Sequence, residues 1–196
     1  MSQDTQRYSS RQIALVSLGS NATSFNCYNS RSIQKSISLI SSILPGILAK
    51  SDLYVTPAFP AGSGPDFINA AISIETELGA HDVLKILHGV ERQFGRERKT
   101  RWAQRTLDLD LLALGDQILP DRDGFAYWHD LPLEAQMQLE PEELILPHPR
   151  LHERCFVLVP LADVAPEWKH PVLGKTVQQM LDALPEAEKS EIERFS

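Results

Sequence analysis

The chain has 196 residues, 42% of them hydrophobic, and a formal net charge of −7. That length and apolar content suit a single domain with a core of its own, and the acidic balance excludes a general nucleic-acid binder, which needs a broad basic surface. The two cysteines, Cys27 and Cys155, form neither a disulfide framework nor a metal-ligand spacing. A reducing cytoplasm is therefore the expected setting, and the lack of a charged leader or of a ~20-residue apolar stretch predicts a soluble, unexported protein.

Residues 1–12 are polar and read as a frayed tail; residues 13–185 read as the single domain and 186–196 as a polar C-terminal tail. The run Ile13–Leu18 is a buried strand that ends in the turn signal Gly19-Ser20-Asn21. Gly19 either lets the backbone approach a ligand or simply makes the turn. A helix follows, with Asn29 or Ser30 as its expected N-cap and Ile33, Ile37, Ile40 and Leu44 on one face. Ile47 to Val55 reads as a second strand closed by Thr56-Pro57, and the Pro/Gly-rich segment 58–65 as a loop. Phe67 to Glu75 reads as a third strand, with Phe67 and Asn69 on the same face. A buried Asn needs partners, which either nearby backbone or a bound heterocycle supplies.

Val83, Leu87, Val90 and Phe94 predict a second helix over roughly 81–93, with Gly95 at its C-terminal cap. Glu91 sits near the end where the helix dipole disfavours a carboxylate; a solvent-facing Glu is the default expectation, and a hold on an arginine is the functional one. The next stretch is the most informative in the chain. Six basic residues (Arg92, Arg96, Arg98, Lys99, Arg101, Arg105) fall within 14 positions, and Leu107-Asp108-Leu109-Asp110-Leu111 follows as a strand. Strand alternation puts both carboxylates on one face and the three leucines on the other. Two carboxylates on a rigid strand beside a basic loop suit Mg²⁺ and a polyphosphate, because Mg²⁺ is held by one or two carboxylates plus substrate phosphates while arginines neutralise the rest.

Gln117–Leu119 is expected as a short strand. Residues 120–140 lack clear periodicity and read as an insertion with a short helix near Leu133–Leu139, with Tyr127, Trp128 and Leu131 as candidates to pack on the body. Residues 120–143 carry seven acids and one arginine, a net of −6 that leaves only −1 for the rest of the chain. His148, between two prolines, is either a surface loop residue or a donor to a phosphate or partner in proton transfer. Cys155–Ala165 reads as an apolar helix, and Thr176-x-x-Gln179 as a capping box that opens a final helix. The order β-α-β-β-α-β followed by extra helices predicts an α+β, ferredoxin-like split βαβ sandwich with additional C-terminal helices.

The motifs Gly95-Arg96-x-Arg98, Arg101-Trp102-x-x-Arg105-Thr106-Leu107-Asp108-Leu109-Asp110 and Leu146-Pro147-His148-Pro149-Arg150, with Arg154-x-Phe156, resemble those of the 6-hydroxymethyl-7,8-dihydropterin pyrophosphokinase family. Tyr54-x-Thr56-Pro57 and Asp66-Phe67-Ile68-Asn69-Ala70 support the match, which runs from Leu18 to Trp168. The resemblance implies transfer of pyrophosphate from ATP to the pterin hydroxymethyl group in folate biosynthesis, with release of AMP. It implies that Asp108 and Asp110 hold two Mg²⁺ ions. Arg96, Arg105, Leu111, His148 and Arg154 are implied to bind ATP, with Arg96 and Arg105 acting on the transferred phosphates. Phe67 and Phe156 are implied to sandwich the pterin, Asn69 with the backbone near Thr56 and Pro57 to read its edge, and Trp102 to close over the substrates. Loops 58–65 and 95–105 are implied to close around the ligands and exclude water.

The chain departs from the family pattern in three places. Ala103-Gln104 stands where Gly-Pro is usual, His88 where Gln is frequent, and the 120–140 insertion is longer than in many members. A monomer or weak dimer is expected, with no nucleic-acid or membrane partner. Two rival functions remain. A Mg-dependent nucleotidyl enzyme or nuclease on the same aspartates needs no Phe67–Asn69–Phe156 pocket. A non-catalytic nucleotide- or nucleic-acid-binding module should show aromatics on the sheet face and a wide basic surface.

Overall fold

In chain order the elements are β1 (Gln12–Ser20), α1 (Asn26–Ile43), β2 (Ile47–Lys50), β3 (Tyr54–Thr56), β4 (Phe67–Thr76), α2 (Ala80–Gln93) and β5 (Asp108–Leu114). They continue with α3 (Arg122–Asp130), α4 (Leu133–Gln138), a 3₁₀ turn at Leu151–Glu153, α5 (Cys155–Val164), α6 (Val177–Asp182), α7 (Glu186–Ser190) and β6 (Glu193–Arg194). The structure, a computed structural model, describes residues 11–23, 25–58, 64–95 and 106–196. One antiparallel sheet runs β5-β1-β4-β3-β6, with β2 also paired to β4. If β2 and β3 count as one interrupted strand, the spatial order is fourth, first, third, second. This is the α+β split βαβ arrangement the element order predicts.

Alternation sorts the strand residues into two cores. Val16 and Leu18 of β1, Ile68 and Ile72 of β4 and Leu109 of β5 face Ile33 and Ile40 of α1 and Leu87 and Val90 of α2. On the other face Leu15, Ala71 and Leu112 pack under Val157, Leu158 and Leu161 of α5 and under Val177 and Met180 of α6. The C-terminal helices thus make a third layer over part of the sheet. The uncovered end of that same face holds the polar positions of β1, β4 and β5 discussed below.

Several local expectations change. Helix α1 begins at Asn26, ahead of the expected caps. Asn29 does not cap it; its buried side chain reaches back to both the amide and the carbonyl of Thr23, at 3.3 and 2.9 Å. The expected second strand is broken at Ser51–Leu53. Four steps from Lys50 to Tyr54 stand against three from Ile72 to Asn69, so this side carries one extra residue, a bulge. Ser51 bridges it: its amide donates to the Ala71 carbonyl and its Oγ accepts from the Ala71 amide, both at 2.9 Å. Helix α2 ends as expected, with Gly95 at φ +75° donating its amide to the Arg92 carbonyl. The expected strand at Gln117–Leu119 is only a bridge between Leu119 and Leu146.

The insertion holds two helices, not one. Asp121 caps α3 by accepting from the Gly124 amide at 2.8 Å. Its anchor is the fully buried Phe125, while Tyr127 is exposed. Phe125 lies against His129 and His170, and His129 stacks on His152 at 4.5 Å between ring centroids. The capping box at Thr176 and Gln179 is present and opens α6. The polar residues after 185 do not simply trail away: they form α7 and the edge strand β6, which pairs with β3, and Phe195 packs on the core. Among the described residues no helix is long and apolar enough to cross a membrane.

Burial pushes His170 down to about 4, with His152 and His129 adding to the effect, and lowers His152 as well. His170 Nδ1 accepts from the amides of Val172 and Leu173, both at 3.2 Å. A histidine kept neutral by folding costs stability once the unfolded chain can bind the proton. Stability is complete above the unfolded value and falls as pH drops below it, down to the folded value. Denaturant unfolding should therefore show stability falling from pH 7 towards 4, with His170 contributing a slope approaching ~1.4 kcal/mol per pH unit. His170→Asn retains an acceptor for the two amides but does not titrate, so it should flatten the profile; an unchanged slope would contradict the assignment.

Candidate active site

The polar end of the sheet is built by register. Gly19 of β1 lies opposite Asn69 of β4 on one side and opposite Asp108 of β5 on the other, and Asn69 lies opposite Tyr54 of β3. Directly paired residues in antiparallel strands point to the same face. Asp108, Gly19 and Asn69 therefore form one row on the side where α5 packs, and Asp110, opposite Ser17, begins the next row. The buried Leu107, Leu109 and Leu111 face the opposite core. The predicted split of the Leu-Asp alternation is thus what the strand shows.

The centre of the row is tight. A Cβ placed on Gly19 would stand 3.0 Å from Asn69 Oδ1, 3.8 Å from Phe67 Cδ1 and 3.9 Å from Asp108 Cβ. Gly19 lies inside β1 and not in the turn, and the space a side chain would take is already lined by Asn69, Phe67 and Asp108. Asn69 is buried and donates through Nδ2 to Thr56 Oγ1 at 2.7 Å. Its partner is thus a neighbouring strand's hydroxyl, while Oδ1 points over Gly19. Pro57 follows at the exposed end of β3.

Two further residues of the glycine turn tie down its surroundings. Ser20 Oγ donates to the Thr106 carbonyl at 2.8 Å, just before β5, and Asn21 Nδ2 donates to the Pro65 carbonyl at 3.3 Å, just before β4. Both side chains are buried. Their sequence signal was only that of a turn, because nothing local says which carbonyls lie across the sheet. Glu91 is also not the solvent-facing residue expected by default. It is 3% exposed, and its Oε1 accepts from the Leu109 amide at 2.8 Å.

Arg154 and Phe156 enter from the start of α5, with the Arg154 guanidinium 5.8 Å from the Phe156 ring centroid. Burial pulls the Arg154 guanidinium below its ordinary value, and Asp110, with a smaller contribution from Asp108, pushes it back up. An arginine remains charged under such perturbation, so a cation faces the aspartate pair. Phe156 keeps an exposed ring and Phe67 is partly exposed, both available to a planar ligand.

His148 is held by its own amide, which donates to the Leu112 carbonyl of β5 at 2.7 Å. Its Nδ1 accepts from the Arg150 amide at 3.2 Å. Burial pushes its pKa down to about 3, with Arg154 and Arg150 contributing. Burial thus favours the neutral ring, and with Nδ1 taken as an acceptor its proton sits on Nε2, ready to donate. Leu111 is 3% exposed in the core beneath the sheet, so only its backbone is available to a nucleotide. Arg96, Trp102 and Arg105 lie outside the described residues.

Two hard oxygen donors projecting together from one strand, with a cation opposite, fit a Mg²⁺ that takes its remaining ligands from substrate phosphates. Among the described residues no group of three or more His, Cys, Asp or Glu forms a self-sufficient metal site. A self-sufficient cage is not what such a Mg²⁺ requires.

The model of the family described as 7,8-dihydro-6-hydroxymethylpterin-pyrophosphokinase matches residues 15–166. The chain belongs to this family. The match takes in the aspartate strand, the Asn69 row and the start of α5. The chain is similar to the 2-amino-4-hydroxy-6-hydroxymethyldihydropteridine pyrophosphokinases of Methylorubrum extorquens (37% identical, covering 76% of this chain and 80% of the relative) and Pseudomonas aeruginosa (35%, covering 71% and 73%). It is also similar to that of Synechocystis (38%, covering 60% and 50%), so it spans half of that relative's length.

Solved structures of HPPK-DHPS share the fold. The wild-type Plasmodium falciparum protein superposes with a TM-score of 0.64 at 15% identity, covering 96% of this chain and 45% of the solved one. An HPPK-DHPS in complex with substrates gives 0.67 at 13%, covering 94% and 46%. The chain therefore spans under half of those longer proteins.

Proposed function

We propose that this chain transfers the terminal pyrophosphate of ATP to the hydroxymethyl group of 6-hydroxymethyl-7,8-dihydropterin, giving the pterin diphosphate and AMP for folate synthesis. The observation that carries the reading is the row Asp108–Gly19–Asn69. It sets a candidate reader of a heterocycle two strands from a candidate polyphosphate-binding carboxylate, with no side chain between them. A nuclease or a nucleic-acid module has no use for that adjacency.

In this reading the pterin ring lies between Phe67 and Phe156. Asn69, with backbone near Thr56 and Pro57, accepts and donates along its edge. The pterin hydroxyl oxygen attacks the β-phosphorus of ATP, the bond from that phosphorus to the α-phosphate bridging oxygen breaks, AMP leaves and the hydroxyl proton passes to solvent. Arg154, Arg96 and Arg105 neutralise phosphate charge, His148 donates through Nε2, and the Leu111 backbone borders the nucleotide. Trp102 closes over both substrates. Asp108 and Asp110 would hold two Mg²⁺ ions, which supply charge neutralisation along the phosphate chain. Positioning and electrostatics do most of the work in such transfers. We place the reaction in the cytoplasm, on a monomer or weak dimer.

Incubation with ATP, Mg²⁺ and 6-hydroxymethyl-7,8-dihydropterin should yield AMP and pterin diphosphate in equal amounts. ATP hydrolysis to ADP, or no pterin-dependent AMP, would sink the proposal. Cleavage of single-stranded nucleic acid under the same conditions would favour the nuclease reading instead.

A further inference from the structure

We infer that Glu91 is a positioning residue for the Asp108–Asp110 pair, holding the β5 backbone from its open side; this rests on the reading of that pair as the Mg–ATP site. β5 is the terminal strand of the sheet, with β1 on one side only. Its amides that point away from β1 have no strand to pair with, and a buried unpaired amide is costly. The Leu109 amide is one of these, and it belongs to the peptide group that joins Asp108 to the residue between the two aspartates. Glu91 Oε1 accepts from it at 2.8 Å, with Glu91 3% and Leu109 2% exposed.

Glu91 is buried in the last turn of α2 and reaches across to the strand that carries Asp108 and Asp110. Glu has the length to reach β5 from a helix on the leucine side, and its Oε1 supplies the acceptor that the Leu109 amide needs. The bond pins the backbone midway between two side chains that must project in fixed directions from the other face. It also fastens the end of α2 to the strand 18 residues later in the chain. Partners behind a metal's own ligands commonly set metal affinity in this way.

Reach and charge are separable. E91Q keeps an oxygen at the same distance without the charge; E91D keeps the charge but falls short by one methylene. The full-length chain is titrated calorimetrically with Mg²⁺ and the non-hydrolysable analogue α,β-methylene-ATP, and exchange of the Leu109 amide is followed by NMR without ligand. E91A and E91D should expose the Leu109 amide and weaken Mg–nucleotide binding on the order of 10- to 100-fold. E91Q should keep both close to wild type, and pterin affinity should change little in all three. The opposite order, with E91D like wild type and E91Q impaired, overturns positioning in favour of charge. Wild-type Mg–nucleotide affinity in a folded E91A overturns any role. If E91A fails to fold, the E91Q and E91D pair still decides. If the wild-type chain binds no Mg–nucleotide, the functional reading falls and this inference with it.

Discussion

Asp108→Ala and Asp110→Ala should each remove pyrophosphoryl transfer while leaving the folded chain in place. Loss of the charge stabilisation supplied through either carboxylate is worth several kcal/mol, which at the transition state is a rate loss of roughly a thousandfold or more. The fold should tolerate both changes because each aspartate is only partly buried, while the alternating Leu107, Leu109 and Leu111 carry the strand's packing on the other face. Steady-state AMP release gives the rate, and thermal unfolding gives the control. The isosteric Asp108→Asn and Asp110→Asn variants should fail likewise, since shape is kept and only anionic ligation is lost. Near-normal turnover in both alanine variants would refute their metal role.

The second large effect is expected at a residue with no side chain. Gly19→Ala puts a methyl group 3.0 Å from Asn69 Oδ1. Asn69 cannot turn aside freely, because it is buried and bonded to Thr56 at 2.7 Å. The methyl group therefore displaces the pterin-reading amide or intrudes on the ring's place beside Phe67. The KM for pterin should rise about tenfold, roughly 1.4 kcal/mol of lost binding. The KM for ATP should stay near its wild-type value, because Arg154 and His148 enter from α5 and the loop before it. Stability should fall too, by about 1–3 kcal/mol, as overpacking does. Equal rises in both KM values would mean that Gly19 serves the backbone in general and not the passage between the two subsites.

Both predictions depend on the register of the sheet, which is the part of the site least legible from residues taken alone. Asp108 and Asp110 were legible because a strand alternates whatever its neighbours. The capping box at Thr176 and Gln179, the stop at Gly95 and the α+β order were legible for the same reason: each signal is complete within a few residues. Asn29 misled because its side chain bonds back to Thr23 from within the helix, whose N-cap position is Phe25. The split between β2 and β3 depends on Ser51 meeting Ala71, a partner 20 residues away. Helix α3 has little periodicity because two rings carry its docking, Phe125 against His170 and His129 against His152, both from distant segments.

Glu91 shows the division most sharply. By its sequence it is an acid near a helix end, and in isolation such a residue belongs in solvent. It is buried because β5 closes the sheet and leaves one amide without a strand partner, and only the packed chain brings the two within 2.8 Å. The amino-acid sequence by itself determined the βαββαβ order, the facing of the aspartates and the chemistry that two carboxylates and a cluster of arginines can perform. Tertiary structure alone decided that Gly19 stands between Asp108 and Asn69, that His148 Nδ1 accepts from the Arg150 amide and that Glu91 accepts from the Leu109 amide. The physical reason is the same in each case: alternation and capping are local, whereas register, burial and the satisfaction of an edge amide are properties of strands brought together from distant parts of the chain.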